Sequence, residues 1–136
     1  MSNPPNFMAS SLYVALGGGA GAWLRYLTGR LWTQALGPIA ASQFPWATLT
    51  VNLIGSMAMG LLAGWLARFG AHGESWRLLL GVGVLGGFTT FSAFSLELVN
   101  MLNRGAIATA LFYAALSLLG GIAGLYLGLG AMRGVA

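Results

Sequence analysis

Charged residues are scarce in this chain, and their scarcity excludes a water-soluble fold. Of its 136 residues only 6% are charged, whereas 57% are hydrophobic. A soluble domain usually carries charge on about a quarter of its residues, which it needs to cover its surface. There is no lysine and no aspartate, and the acidic residues are Glu74 and Glu97. The composition therefore predicts an integral membrane protein.

Reactive side chains are also missing or rare. The chain has no cysteine, which excludes disulfides and thiolate metal sites. Its one histidine, His72, falls in a glycine-rich connection, where we expect a solvated loop residue. No basic run indicates nucleic-acid binding. No nucleophile, general base or metal cluster indicates chemistry, so we do not expect an enzyme.

Four long apolar segments account for most of the chain. A helix needs about 20 apolar residues to cross a bilayer, and residues 12–32, 46–67, 78–102 and 106–131 meet that length. No basic residues precede the first segment, so we expect a retained helix and not a cleaved signal peptide. We predict an all-α membrane protein of one domain, residues 1–136, with four transmembrane helices.

Glycines recur at four-residue intervals within these segments. The spaced sets are Gly17 and Gly21, Gly60 and Gly64, Gly83 and Gly87, and Gly120, Gly124 and Gly128. Small residues at this spacing let two helix backbones approach closely. We therefore interpret most of these glycines as helix-packing positions.

The arginines are divided almost evenly between the two ends of the predicted bundle. One end holds Arg68, Arg77 and Arg133, and the other holds Arg30 and Arg104, with Arg25 toward that same end. The positive-inside rule therefore has little to act on. A chain without orientation bias can insert both ways, and two copies of opposite orientation can pair about a two-fold axis. We hypothesise an antiparallel, dual-topology homodimer.

Residues 86–95, Gly-Gly-Phe-Thr-Thr-Phe-Ser-Ala-Phe-Ser, are unusual for a membrane span. Irregular backbone is tolerated in the hydrocarbon region only where it is buried in protein or lines a polar cavity. We predict a third helix broken near the membrane centre, which marks an ion site. We expect residues 86–89 to be unwound and residues 91–95 to restore the helix.

Polar side chains form stripes on two other spans. Thr48, Asn52 and Ser56 share one face of the second span, and Tyr113 and Ser117 are spaced alike in the fourth. Each stripe taken alone is compatible with interhelical hydrogen bonds that hold the bundle together. Together with the polar residues of the third span, they favour a polar path.

Charged and aromatic groups accompany these stripes. Arg25 must snorkel or be paired, and it could attract anions or anchor a loop. Glu97 could pair with an arginine or lie at a vestibule. Phe91 and Phe94 share a helix face directly after the break. The edge of an aromatic ring is electron-poor, so such rings can partly solvate an anion.

Three motifs resemble those of the Fluc (CrcB) family of fluoride channels. They are Gly-Gly-Gly-Ala-Gly-Ala-Trp-Leu-Arg at 17–25, Thr-Leu-Thr-Val-Asn-Leu-Ile-Gly-Ser at 48–56, and the specific run at 86–95. The resemblance covers nearly the whole chain. It implies four spans per subunit, an antiparallel dimer in the plasma (inner) membrane, and passive fluoride export that gives fluoride resistance.

The resemblance also implies a role for individual residues. By resemblance, Phe91 and Phe94 line the fluoride path and Asn52 donates to the ion. The backbone carbonyls of Gly86 and Thr89 would hold a structural sodium ion at the dimer interface. The further path residues implied are Thr48, Ser95, Tyr113 and Ser117, with Arg25 near the vestibule.

Two positions depart from the family pattern, and two other functions compete. Ala93 and Gly121 stand where hydroxyl residues can extend the polar track. One rival is a small proton-coupled multidrug exporter, which needs a titratable carboxylate at its binding centre. Glu97 lies off-centre for that purpose. The other rival is a membrane scaffold without transport, which would not need a broken third span bearing hydroxyls and rings.

Overall fold

The computed structural model describes residues 5–68 and 73–133, and this part of the chain is all-helical. Four helical segments in it are long and apolar enough to cross a membrane: Phe7–Leu36, Trp46–Leu66, Glu74–Asn103 and Ile107–Arg133. The predicted four spans are thus confirmed, and the chain is a multi-pass membrane protein. His72 lies outside the described residues. The first helix begins and ends beyond its predicted limits. Its polar end residues continue the helix because their backbone N–H and C=O groups can still pair within it.

Two connections at one end of the bundle have defined structure. Helix α1 (Phe7–Leu36) is followed by a short helix, α2 (Pro38–Gln43), which sequence patterning did not predict. Gly37 separates them with a positive φ of 79°. The turn after helix α6 (Phe91–Asn103) is closed by Gly105, also at positive φ. The Ala106 N–H donates to the Met101 carbonyl across that turn, which is a Schellman helix end.

The third span is assembled from several short pieces. Helix α4 (Glu74–Trp76) leads into a π-helix, Arg77–Leu85, and then into α5 (Gly86–Phe88). The backbones of Thr89 and Thr90 are extended, and α6 begins at Phe91. We call these two extended residues the 89–90 interruption. A π-helix of this length is unusual, and π-helical turns occur often at functional sites.

The expected unwinding of residues 86–89 is wrong in its position, because Gly86–Phe88 is helical. Glycine in a helix interior costs only about 1 kcal/mol relative to alanine, and Gly87 is packed tightly against the backbone of Gly18. Helical bonding is lost only where other groups replace it. That replacement happens at Thr89 and Thr90.

The glycine spacing acts as predicted, because it lets pairs of helices touch through their backbones. A β-carbon added at Gly83 would lie 2.9 Å from the Gly17 Cα, so α1 and the π-helix are in backbone contact at these two glycines. On the other side, Gly60 of α3 (Trp46–Leu66) meets the Leu125 backbone of α7 (Ile107–Arg133). Both pairs leave no room for a methyl group, so they set the distance between the helices.

A compact apolar cluster lies between α3, α6 and α7. Its buried members are Leu49, Phe94, Met101, Ala110 and Tyr113. Tyr113 has no exposed surface at all. This cluster fixes the start of α6 against the two neighbouring spans, and it therefore positions the polar groups beside the 89–90 interruption.

Candidate functional site

Two threonine hydroxyls end one helix and begin the next. Thr89 Oγ1 donates to the Leu85 carbonyl at 2.8 Å, and the same carbonyl accepts the Thr89 N–H at 3.0 Å. Thr90 is the N-cap of α6, and its Oγ1 accepts the Ala93 N–H at 3.2 Å. Side-chain caps of this kind replace the backbone partners that a helix terminus lacks. Ala93, one of the two departures from the family pattern, thus takes part through its backbone.

Asn52 of α3 binds the interruption from the side with two reciprocal hydrogen bonds. Its Oδ1 accepts the Thr90 N–H at 2.8 Å, and its Nδ2 donates to the Thr90 carbonyl at 3.0 Å. The amide therefore pairs the Thr90 N–H, which would donate to the Gly86 carbonyl in an unbroken helix, and adds a bond to the Thr90 carbonyl. Because a side-chain amide carries two N–H groups, one donor of Asn52 remains for another acceptor.

Arg25 reaches the same interruption from α1. Its Nη1 donates to the Thr89 carbonyl at 3.4 Å, which is at the long end of the hydrogen-bond range. Of the open alternatives for Arg25, pairing within the protein is the one observed. Its positive charge lies beside the extended backbone and not at a connecting loop.

A groove of about 300 Å³ opens at the interruption, and we call it the Asn52 groove. Three helices contribute to its wall: α3, α6 and α7. The lining residues are Asn52, Gly55, Ser56, Met59, Thr89, Thr90, Phe91, Phe94, Ser117, Leu118 and Leu125. The sequence-predicted residues that it brings together are Asn52, Thr89, Phe91, Phe94 and Ser117.

The two phenylalanine rings contact each other but have different surroundings. Their centroids are 5.7 Å apart with the planes inclined by 38°. Phe94 is 7% exposed and packs on the Tyr113 ring at 5.1 Å, whereas Phe91 is 75% exposed. In the single chain, one ring belongs to the core and the other stands on the surface.

Ser117 contributes an unpaired hydroxyl to the groove. Its Oγ is buried, and it has no hydrogen-bond partner among the residues that the structure describes. A buried polar atom without a partner costs about 1–3 kcal/mol. Because the Oγ has almost no accessible surface, a ligand or water in the groove would reach it only after a rotation of the side chain. Ser56 lines the same groove and lies opposite Gly121, so a serine hydroxyl is present at that departure too.

Beyond Phe94, two hydroxyl side chains meet at one carboxylate. Thr48 Oγ1 donates to Glu97 Oε1 at 2.7 Å, and the Tyr113 hydroxyl donates to Glu97 Oε2 at 2.8 Å. Thr48 and Tyr113 are buried. The expected pairing of Glu97 with an arginine is not what the described residues show, since its partners are these hydroxyls. Sequence reasoning did not place Glu97 on the path, although a lone acidic residue inside a span was a signal for it.

Ser95 is turned toward its own helix. Its Oγ donates to the Phe91 carbonyl at 2.9 Å. It does not line the Asn52 groove. A path role for Ser95 therefore stays a prediction from the resemblance.

A second groove, which we call the Arg104 groove, opens at the end of the bundle near α2. It has a volume of about 220 Å³, and Glu97 is one of its lining residues. Its lining residues are Ala41, Ser42, Pro45, Glu97, Asn100, Met101 and Arg104. Glu97 therefore joins this groove to the buried hydroxyls of Thr48 and Tyr113, and Phe94 joins those hydroxyls to the Asn52 groove.

The interruption frees two backbone carbonyls that could hold a cation. In an unbroken helix the Gly86 carbonyl would accept the Thr90 N–H, but that N–H donates to Asn52. Likewise, the Ala93 N–H donates to Thr90 Oγ1 and not to the Thr89 carbonyl. Free carbonyls of unwound membrane helices coordinate sodium in other proteins. The Gly86 carbonyl is thus available to such an ion, whereas the Thr89 carbonyl also accepts Arg25 Nη1 at 3.4 Å, so an ion there would share that oxygen with the guanidinium.

Comparison with known proteins agrees with this arrangement. A family model described as CrcB-like protein, Camphor Resistance (CrcB), matches residues 12–129. A protein of Novosphingobium aromaticivorans is 59% identical over 129 residues, which cover 95% of this chain and 100% of the relative. A protein of Erythrobacter litoralis is 52% identical, with 95% of each chain covered. Both relatives carry the name fluoride-specific ion channel FluC. The protein therefore belongs to the CrcB family.

Proposed function

We propose that this protein is a fluoride-selective channel, through which cytoplasmic fluoride leaves passively down its electrochemical gradient, giving fluoride resistance. Relatives that are 59% and 52% identical over nearly their whole length bear the name of such a channel. The structural observation that carries the proposal is the Asn52 groove itself, where the second Asn52 N–H, the exposed Phe91 ring and Ser117 meet beside the interruption. A small anion in this groove would be bound by an amide donor and a ring edge.

The groove provides what a fluoride ion needs when it loses water. A permeating ion must meet donors that replace its hydration shell but hold it weakly enough for release. The second Asn52 N–H and the Ser117 O–H supply two donors, and the edges of Phe91 and Phe94 supply positive ring hydrogens. None of these groups is a full positive charge, so none would trap the ion.

The path then continues past Phe94 to the cluster around Glu97. The hydroxyls of Thr48 and Tyr113 donate to that carboxylate. They are the next hydrogen-bond donors that an anion leaving the Asn52 groove would meet. The Arg25 guanidinium of α1 donates to the Thr89 carbonyl, and it adds positive potential at the interruption.

A structural sodium ion is proposed at the Gly86 and Thr89 carbonyls. Two copies of the chain would together offer four carbonyl oxygens, which suits a hard cation. When bound, the ion would supply fixed positive charge and hold the two interruptions together. The chain's own residues support this by keeping the two carbonyls out of helical bonds.

The functional unit is proposed to be an antiparallel dimer in the inner membrane. Phe91 supports this proposal, because a ring of the proposed path is three-quarters exposed in one chain and a second chain would cover it. The arginines support dual insertion. Arg68 bonds to the Met132 carbonyl at one end of the bundle and Arg104 to the Gln43 carbonyl at the other. The interruption would lie about 20 Å along α6 from the Arg104 end, which is near the middle of a bilayer.

The rival proton-coupled exporter has less support. Its mechanism needs a carboxylate that titrates at the substrate site, and Glu97 lines the Arg104 groove and not the Asn52 groove. Glu97 is also bonded to two hydroxyls from neighbouring helices. We propose an ion path without enzymatic chemistry.

The proposed function is tested by flux from proteoliposomes that contain the purified full chain. Vesicles are loaded with potassium fluoride or potassium chloride, and valinomycin carries the counter-ion. We expect fluoride to leave rapidly and chloride to stay at the level of protein-free vesicles. Absence of fluoride efflux, or equal efflux of the two halides, would contradict the proposal. Drug uptake that requires a proton gradient would favour the exporter instead.

A further inference from the structure

The Arg104 groove lies where the proposed path meets the end of the bundle. Its wall combines α2 with the last turn of α6, so Ser42, Asn100 and Arg104 surround it. Along the axis of α6, Arg104 and Glu97 are about 10 Å apart, and Glu97 and Thr90 are separated by a similar distance. Polar groups thus occur at intervals from the interruption to this end of the helix.

Glu97 creates an electrostatic difficulty for an anion at this point. Glu97 lines the groove, and its carboxylate would repel an approaching fluoride ion. The hydroxyls of Thr48 and Tyr113 bind both carboxylate oxygens from within the bundle, but they are neutral. A groove with Glu97 alone would repel fluoride before it reached those donors.

Arg104 is placed to offset that repulsion. It lines the groove, its side chain is exposed, and its contact is with a neutral group, the Gln43 carbonyl, at 3.4 Å from Nη2. Among the described residues the ion pair observed is Glu74 with Arg77, so no carboxylate neutralises Arg104 by direct pairing. A cation without a carboxylate partner at the groove mouth raises the local concentration of anions within about one Debye length of it.

We propose that Arg104 recruits fluoride to the mouth of the Arg104 groove, and that this groove is one end of the ion path. The inference rests on the proposed fluoride-channel function. Arg104 would attract the hydrated ion from solution before the ion meets the donors that replace its water. Asn100 and Ser42 complete a polar rim around the guanidinium.

The test compares arginine variants in the same proteoliposomes at subsaturating fluoride. Arg104→Gln removes the charge but keeps an amide donor for the Gln43 carbonyl, and Arg104→Lys keeps the charge. Arg30→Gln is the matched control, because Arg30 is an exposed arginine nearer the same end that lines neither groove. Ionic strength is varied with potassium gluconate from about 0.01 M to about 1 M, which shortens the Debye length from about 30 Å to about 3 Å.

We expect initial fluoride efflux from Arg104→Gln to fall roughly three- to tenfold at low ionic strength, and the difference to shrink at high ionic strength. Arg104→Lys and Arg30→Gln should both stay near the wild-type rate. The inference is overturned if Arg104→Gln equals wild type at every salt concentration. It is also overturned if its deficit is independent of salt and shared by Arg104→Lys, because a lost structural contact would then explain it. A wild-type protein without fluoride efflux would instead refute the proposed function itself.

Discussion

At the scale of the residue, Asn52 and Ser117 face the same groove but contribute differently to the fold. Asn52 accepts the Thr90 N–H, which has left its helical bond, so removal of the amide leaves that N–H without its partner. Ser117 makes no hydrogen bond among the described residues. The proposed role in transport is therefore tied to folding at Asn52 and can be tested apart from folding at Ser117.

Ser117→Ala should reduce fluoride efflux at least about tenfold without loss of thermal stability. A hydrogen bond to a charged group contributes about 1.5–3 kcal/mol, and about 1.4 kcal/mol corresponds to a factor of ten. Efflux is measured in proteoliposomes, and unfolding is followed by circular dichroism in detergent. Ser11→Ala is the control, because Ser11 bonds only back to its own helix at the Phe7 carbonyl. Unchanged efflux in a stable Ser117→Ala protein would remove Ser117 from the path.

Thr90→Val should lower the free energy of unfolding by about 1 kcal/mol, which is typical for a lost N-cap. The valine keeps the backbone bonds to Asn52 but cannot accept the Ala93 N–H. Thr90→Ser retains the hydroxyl and should remain close to wild type. Denaturant or thermal unfolding of the two variants measures the difference. Equal stability of both variants would show that the hydroxyl does not cap α6.

At the scale of the element, three contacts from the two neighbouring helices α1 and α3 hold the third span in place. Asn52 of α3 and Arg25 of α1 bond to the interruption itself. The π-helix before it packs through Gly83 on Gly17 of α1. Contacts from neighbouring helices therefore stabilise the interruption together with the side chains of Thr89 and Thr90.

Gly83→Ala should destabilise the protein by about 1–3 kcal/mol, because overpacking at a rigid contact forces the helices apart. The added methyl group would meet the Gly17 backbone, which cannot move aside as a flexible side chain could. Gly19→Ala is a matched control on α1, since nothing lies within 4 Å of its added β-carbon. Thermal unfolding in detergent compares the two variants. Similar stabilities would contradict the close backbone contact.

These elements differ in how far the sequence could predict them. The four spans follow from length and hydropathy, and the glycine contacts follow from spacing, because both are local properties. The position of the interruption is different, since the Thr90 N–H leaves the helix for Asn52, a residue of another span. Helix α2 is short and weakly patterned, and no sequence signal marked the π-helix. The role of Glu97 depends on Thr48 and Tyr113 meeting it in three dimensions.

At the scale of the whole molecule, the absence of cysteine permits a direct test of dual topology. Ser11→Cys introduces one exposed thiol near the start of α1. We expect a membrane-impermeant maleimide to label about half of the chains from each side of sealed vesicles, because opposite insertions are balanced. Labelling from one side alone would contradict the antiparallel dimer.

At the same scale, the proposed ion path follows one route through the molecule. It runs from the Asn52 groove past Phe94 to Glu97 and on to the Arg104 groove. Helix packing through glycines keeps the spans close, and the 89–90 interruption provides the polar backbone at one end of this route. The buried ring of Phe94 stands between the two grooves, so it is the position that the route cannot avoid.

Fluoride efflux from Phe94→Ile proteoliposomes, beside Phe112→Ile, is therefore the most direct test. Phe112 lies on the exposed surface of α7 and lines neither groove, so it controls for the loss of a ring. With equal amounts of folded protein, we predict that efflux falls more than about tenfold for Phe94→Ile, because the ion loses ring edges that solvate it. Phe112→Ile should match wild type. Wild-type efflux from Phe94→Ile would contradict a fluoride path between these grooves.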